Sequence, residues 1–161
     1  STLLQLANRE PRAALIGLDP DPEVLARAKN KLIGTQSRIE WRQGFFDEHA
    51  ASQLRPVNKI LSSLLLHQTP MPEKRRILSN MRFSLESGGK LFIADYGAQT
   101  SFAMRALFRI TVQVFDGVRN TQPNADGCIP ILMEEAGFSD IRIRRSLKTA
   151  TGSISLFEAS N

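Results

Sequence analysis

The sequence predicts an α/β domain, with a doubly wound, mostly parallel sheet that closes on an antiparallel hairpin. Three observations lead there. The apolar run Ala13 to Asp19 ends in an acid and gives way at once to Pro20-Asp21-Pro22-Glu23, a helix start. Buried parallel strands have this continuous apolar character, and open α/β sheets bind ligands beyond the carboxyl ends of their strands. Strand patterns then alternate with amphipathic helices as far as Asp95, which is the order a parallel sheet with helical crossovers requires. Finally, the last two strands are joined through Thr149-Ala150-Thr151-Gly152. So short a connection forces them to run antiparallel.

Thr2 to Arg9 reads as a helix that Ser1 caps and Glu10-Pro11 ends. After the strand to Asp19, Asp21 caps a second helix with Pro22 at its first position. Its Val24, Leu25, Ala28 and Leu32 share a face before Gly34 stops it. Arg38 to Gln43, with Ile39 and Trp41 alternating against polar neighbours, is a more exposed strand, and Gly44 turns the chain out of it. Val57 to Leu66 reads as a central strand. Pro72 opens a helix with Ile77, Leu78, Met81 and Leu85 on one face, which Gly88-Gly89 closes; Lys90 to Ala94 is the next strand and delivers Asp95, read as a strand-end or turn residue. Ser101 to Asp116 is helical and apolar over most of its circumference, with Arg105, Arg109 and Gln113 on one stripe. It is either a buried helix with a solvated basic edge or a lid over an apolar ligand. Cys128 to Gly137 is a short helix, and Ile141 to Leu147 and Ser153 to Ala159 form the hairpin.

Composition narrows the class. A chain of 161 residues, 42% hydrophobic, supports its own core, so 1–161 reads as a single domain. One cysteine, Cys128, forms no internal disulfide, and with neither a signal peptide nor a membrane-length apolar run the expected setting is cytoplasmic. The net charge of +5 comes in short groups, Lys74-Arg75-Arg76 and Arg142-Ile143-Arg144-Arg145, without interleaved aromatics. These read as solvated faces rather than a nucleic-acid groove. His49 and His67 are the two histidines, and no cluster has metal-ligand spacing, so no metal is expected.

Asp19 is the first candidate site residue. A carboxylate at the end of a buried strand accepts two hydrogen bonds from a ribose diol, which points to a nucleoside-containing cofactor. The competing role, capping the following helix, suits Asp21 better because it stands directly before Pro22.

The ordered segments Gly17-Leu18-Asp19-Pro20, Gln43-Gly44-Phe45-Phe46-Asp47, Leu64-Leu65-Leu66-His67, Gly88 to Asp95, Glu135-Ala136-Gly137-Phe138 and Gly152 to Ala159 together resemble the class I S-adenosylmethionine-dependent methyltransferases. The Phe-Phe-Asp and Leu-His segments look most like the small-molecule O-methyltransferases. The resemblance implies a Rossmann-like fold, S-adenosyl-L-methionine as cofactor and a small-molecule acceptor that is methylated on a hydroxyl. It also implies that Asp19 holds the ribose, that Pro20, Phe45 and Leu66 border the cofactor, and that Asp47 either contacts the adenine amino group or caps the segment after it. His67 becomes either the general base, a task that suits imidazole because it exchanges protons near neutral pH, or a polar residue hydrogen-bonded at a strand end. Gln68-Thr69 stands where that family usually has Asp-Trp.

One departure is larger. The family's first strand and its glycine-rich loop would precede Ser1, and that strand lies between the strands ending here at Asp19 and Leu66. Without it these two strands pair directly or leave open edges that invite self-association into a homodimer. The rival functions are a non-catalytic binding or dimerisation module and a dinucleotide-dependent oxidoreductase. The oxidoreductase shares the acid after the second strand but not the terminal hairpin.

Overall fold

The computed structural model describes residues 2–34 and 38–161. The cap expected at Ser1 lies outside them. The chain forms two compact units, Ser1–Phe46 and Asp47–Asn161.

The first unit holds α1 (Thr2–Arg9), β1 (Leu15–Asp19), α2 (Pro22–Lys31) and β2 (Ile39–Gln43). β1 and β2 are parallel, in a register that sets Gly17 opposite Trp41 and Asp19 opposite Gln43. Gly17 is there for a close approach: a Cβ on it would lie 2.7 Å from the Trp41 ring. Asp21 is the N-cap of α2, accepting from the amides of Glu23 at 2.8 Å and Val24 at 3.4 Å, and Pro22 occupies the first turn where its missing N–H costs nothing.

The second unit carries α3 (Glu48–Leu54), β3 (Val57–Ser63), the 3₁₀ turn Leu66–Gln68, α4 (Met71–Ser84), β4 (Leu85–Tyr96), α5 (Phe102–Asp116), α6 (Val118–Ala125), α7 (Cys128–Glu135), β5 (Ser139–Thr149) and β6 (Gly152–Ser160). The sheet order is β3-β4-β6-β5, with β3 parallel to β4 and β6 antiparallel to both of its neighbours. The α/β class and the closing antiparallel hairpin are therefore as the sequence predicts. β1 has β2 for its ladder partner and β3 has β4.

Three boundaries differ from expectation. β3 stops at Ser63 rather than Leu66, because Leu64 takes a left-handed φ of 52° and the chain leaves the ladder there. Leu85 leaves α4 and begins β4, pairing with Val57, and Gly88-Gly89 form an irregularity inside that long strand instead of separating two elements. α3 and α6 add two helices the sequence reading lacks.

The core of this unit lies on the sheet face carrying Leu91, Ile93 and Phe157, against Leu78 and Met81 of α4 and Ile129, Leu132 and Met133 of α7. A second cluster joins Tyr96 to Phe108, Val112 and Ala125. In α5, Phe108 and Val112 are buried while Phe102, Ile110, Val114 and Phe115 are exposed, so one face of this helix lies open. No helix among the described residues is long and apolar enough to cross a membrane.

Candidate functional site

In the first unit the two cofactor candidates at the end of β1 are held by the turn that follows β2. Gly44 donates its amide to the Asp19 carbonyl at 3.1 Å, and the Gln43 carboxamide reaches the Pro20 carbonyl at 3.4 Å. Asp19 is half-buried, and Oδ1 of its carboxylate accepts the Asp21 amide at 2.9 Å. Oδ2 takes no hydrogen bond among the described residues. An acid so placed caps nothing, because Asp21 does that work. Phe45, in the same turn, is 75% exposed.

The other predicted residues lie in the second unit. Asp47 is the N-cap of α3, its Oδ1 accepting from the Ala50 amide at 2.8 Å, the second of its two expected roles. Leu66 and His67 share the 3₁₀ turn after β3, not a strand end. The Leu66 side chain is fully buried, its amide donates to Asp95 and its carbonyl accepts from Lys74.

His67 meets three residues on two elements. Its Nδ1 lies 2.8 Å from Oδ1 of Asp95 on β4, its Nε2 lies 3.5 Å from Oδ2 of Asp116 at the end of α5, and its ring packs edge-on to Tyr96 with centroids 4.9 Å apart. Tyr96 is fixed in turn by a 2.7 Å bond between its hydroxyl and that of Thr151. His67 is 7% exposed and Asp95 is fully buried.

Asp95 follows Leu91 and Ile93 on the buried face of β4, where an unpaired carboxylate would be costly. It is fully partnered instead. Oδ2 accepts the Leu66 amide at 2.7 Å, Oδ1 accepts the Tyr96 amide at 2.7 Å, and the imidazole completes the set. A carboxylate engaged by amide donors can only accept, so Nδ1 of His67 carries the proton and donates it. In the neutral ring Nε2 is then the acceptor. Asp95 is a strand-end residue, as the sequence predicts, and its carboxylate also faces the imidazole.

Sequence reasoning also missed Lys74 and Asp116. The Lys74-Arg75-Arg76 group reads as solvated, yet Lys74 is fully buried while Arg75 and Arg76 are exposed and paired with Glu135 and Glu73. Burial lowers the Lys74 pKa below the usual lysine range, against the pull of Cys128 and Asp95. The helical spacing of apolar residues in α4 offered one signal, since Lys74 stands four before the buried Leu78.

Two open surface depressions, of about 440 and 420 Å³, lie beside Phe138 and Asp140 and beside Leu15 and Ile39; neither is lined by Asp19 or His67. No group of three or more His, Cys, Asp or Glu among the described residues is arranged to hold a metal ion.

A family model described as a methyltransferase domain matches residues 1–89. No curated protein sequence matches the chain. Among solved structures, it superposes on an O-methyltransferase family protein from Burkholderia thailandensis with a TM-score of 0.73 at 17% identity, covering 99% of this chain and 47% of that one. A SAM-dependent methyltransferase from Methanosarcina mazei gives 0.68 at 15% identity, over 99% of this chain and 86% of that one. Human N-acetylserotonin methyltransferase in complex with SAM gives 0.65 at 14% identity, over 96% and 42%. The chain thus spans about half the length of the Burkholderia and human proteins.

Proposed function

Because the chain belongs to the methyltransferase-domain family, we propose that it serves S-adenosylmethionine-dependent methyl transfer to a hydroxyl of a small-molecule acceptor. The observation that carries the hydroxyl is the His67–Asp95 pair. A nitrogen or sulfur acceptor brings its own nucleophilic lone pair, whereas a hydroxyl profits from a base held in a fixed tautomer.

The cofactor is accommodated by what the first unit offers. Asp19 keeps one carboxylate oxygen unbonded at the end of β1, which suits a ribose diol. Pro20 and the exposed ring of Phe45 give apolar surface for the adenine. When bound, the cofactor supplies a sulfonium-activated methyl group, so the protein's task is alignment more than activation.

His67 accepts the acceptor's proton at Nε2. Asp95 holds the opposite nitrogen and stabilises the imidazolium that results, while Asp116, 3.5 Å from Nε2, places a second carboxylate beside the newly bound proton. Tyr96 limits the ring's rotation from one side. A general base in such a place is worth about 10² to 10⁴ in rate.

Calorimetry with S-adenosylhomocysteine tests the cofactor assignment. Asp19→Ala should weaken binding by about 1.5 to 3 kcal/mol, the worth of hydrogen bonds to a charged group. Unchanged affinity would remove Asp19 from the site.

A further inference from the structure

The turn that carries His67 is not self-supporting. Leu66–Gln68 is a single 3₁₀ turn with no side-chain cap, entered through Leu64 in the left-handed region, a conformation that a non-glycine residue keeps only when its surroundings impose it. Those surroundings are two buried charges of opposite sign. On the amide side, the Asp95 carboxylate accepts from Leu66 N at 2.7 Å and His67 N at 3.4 Å. On the carbonyl side, the Lys74 ammonium donates to the Leu66 carbonyl and, at 3.4 Å, to that of His67. The peptide groups of the turn are thus gripped at both ends, negative charge on the N–H groups and positive charge on the C=O groups, as a short run of aligned dipoles prefers.

Lys74 reaches further. It donates to the Asn120 carbonyl at 2.9 Å and to Oδ1 of Asn124 at 2.8 Å, both on α6, and Asn124 passes the link on by donating to the Tyr96 carbonyl at 3.0 Å. Tyr96 is the ring that His67 packs against and the neighbour of the carboxylate that orients it. The hydrogen bonds close a circuit around the imidazole, and Lys74 is its one cation. A methionine would fill this position without burying a charge, and a lysine held there only for packing would be a costly choice.

We propose that Lys74 is a positioning residue for His67: its buried ammonium fixes the carbonyl side of the Leu66–Gln68 turn against α6, so that Asp95 meets Nδ1 and Nε2 keeps one direction. This rests on the reading of His67 as the base. Asp95 sets which nitrogen holds the proton, and Lys74 sets where the ring stands when it does so.

The test reads the imidazole directly, by nitrogen-15 NMR of His67 in the 161-residue chain, with S-adenosylhomocysteine calorimetry beside it. The parent chain should show one tautomer, protonated at Nδ1. Lys74→Met should lose it to a mixture of tautomers while S-adenosylhomocysteine affinity changes less than about twofold, since Asp19 is untouched. Retention of the single Nδ1–H tautomer in Lys74→Met overturns the proposal, as does its absence from the parent chain. If Lys74→Met does not fold by circular dichroism, Lys74→Gln replaces it. The carboxamide is one bond shorter and uncharged, so it leaves the two turn carbonyls without the ammonium, and an unaltered tautomer in that folded variant is equally fatal. Turnover of His67→Gln tests the base separately: full activity there would dismiss His67 as the base and leave the tautomer result to decide whether Lys74 holds the ring.

Discussion

Nδ1 of His67 and Oδ1 of Asp95 lie 2.8 Å apart with the carboxylate sealed from solvent. In the neutral ring the imidazole proton therefore sits on Nδ1, facing that carboxylate. Asp95→Asn offers Nδ1 a carboxamide donor instead of an acceptor and favours the opposite tautomer, with Nε2 occupied. Methyl transfer to a hydroxyl should then fall by about 10²-fold or more, with S-adenosylhomocysteine affinity unchanged. Single-turnover rates and calorimetry on the same preparation check both halves.

Acid stability should carry the signature of Glu158. Arg144 donates to its carboxylate at 2.6 Å and Lys90 at 2.9 Å, and these hydrogen bonds, that from Arg144 foremost, hold its pKa down to about 2 against an ordinary 4.5. As pH falls the unfolded chain takes up this proton first, so the stabilisation is complete above 4.5 and is lost on the way down to about 2. Urea melts of Glu158→Gln should accordingly show a shallower fall in midpoint across that window than the parent. Added salt should narrow the gap between them, because Arg144 is half exposed and screened.

Gln99 supplies with its side chain what a neighbouring strand would supply with its backbone. Fully buried, it donates to the carbonyls of Gly97 at 2.8 Å and Ser153 at 2.9 Å and accepts from the Ser153 amide at 2.7 Å. Gln99→Leu orphans the Ser153 amide and should cost about 1 to 3 kcal/mol for that group alone, read as a lower denaturation midpoint with an unchanged slope.

Cys128 should be a slow thiol. Burial raises its pKa above the usual value, with the charge of Lys74 pulling the other way. Since the thiolate is the reactive form, iodoacetamide should label it more slowly than a free thiol at pH 7, with the rate climbing as pH rises past 9. Equal rates at neutral pH would show the thiol to be unshielded.

What the sequence made legible was local or periodic. The Asp21 cap, the apolar strand to Asp19 and the terminal hairpin each declare themselves within about ten residues, the range over which capping and turn chemistry act. α3 escaped because seven residues hold too little periodicity, and α6 because Pro123 sits inside it and argues against a helix. The circuit around His67 escaped for a different reason. Asp95 stands 28 residues from the imidazole it orients, and Lys74 stands 50 from Asn124. Charge alone does not separate Lys74 from Arg75 and Arg76, which share its sign and reach solvent; the one local signal is its place four residues before the buried Leu78.

The placement of β6 bears on how the molecule is made. β6 lies between β4 and β5, and it is the only strand beside β5 among the described residues. On the ribosome, then, β4 emerges with one edge waiting and β5 follows with no ladder to join, until Gly152 to Ser160 has cleared the exit tunnel and threads between them. Pairing of Lys90 with Ser160, 70 residues apart, is the kind of long-range contact that forms slowly. The second unit completes its sheet in one late step, and a nascent chain stalled before Gly152 presents the open edge of β4 and an unpaired β5 to whatever chaperone or neighbouring chain is near.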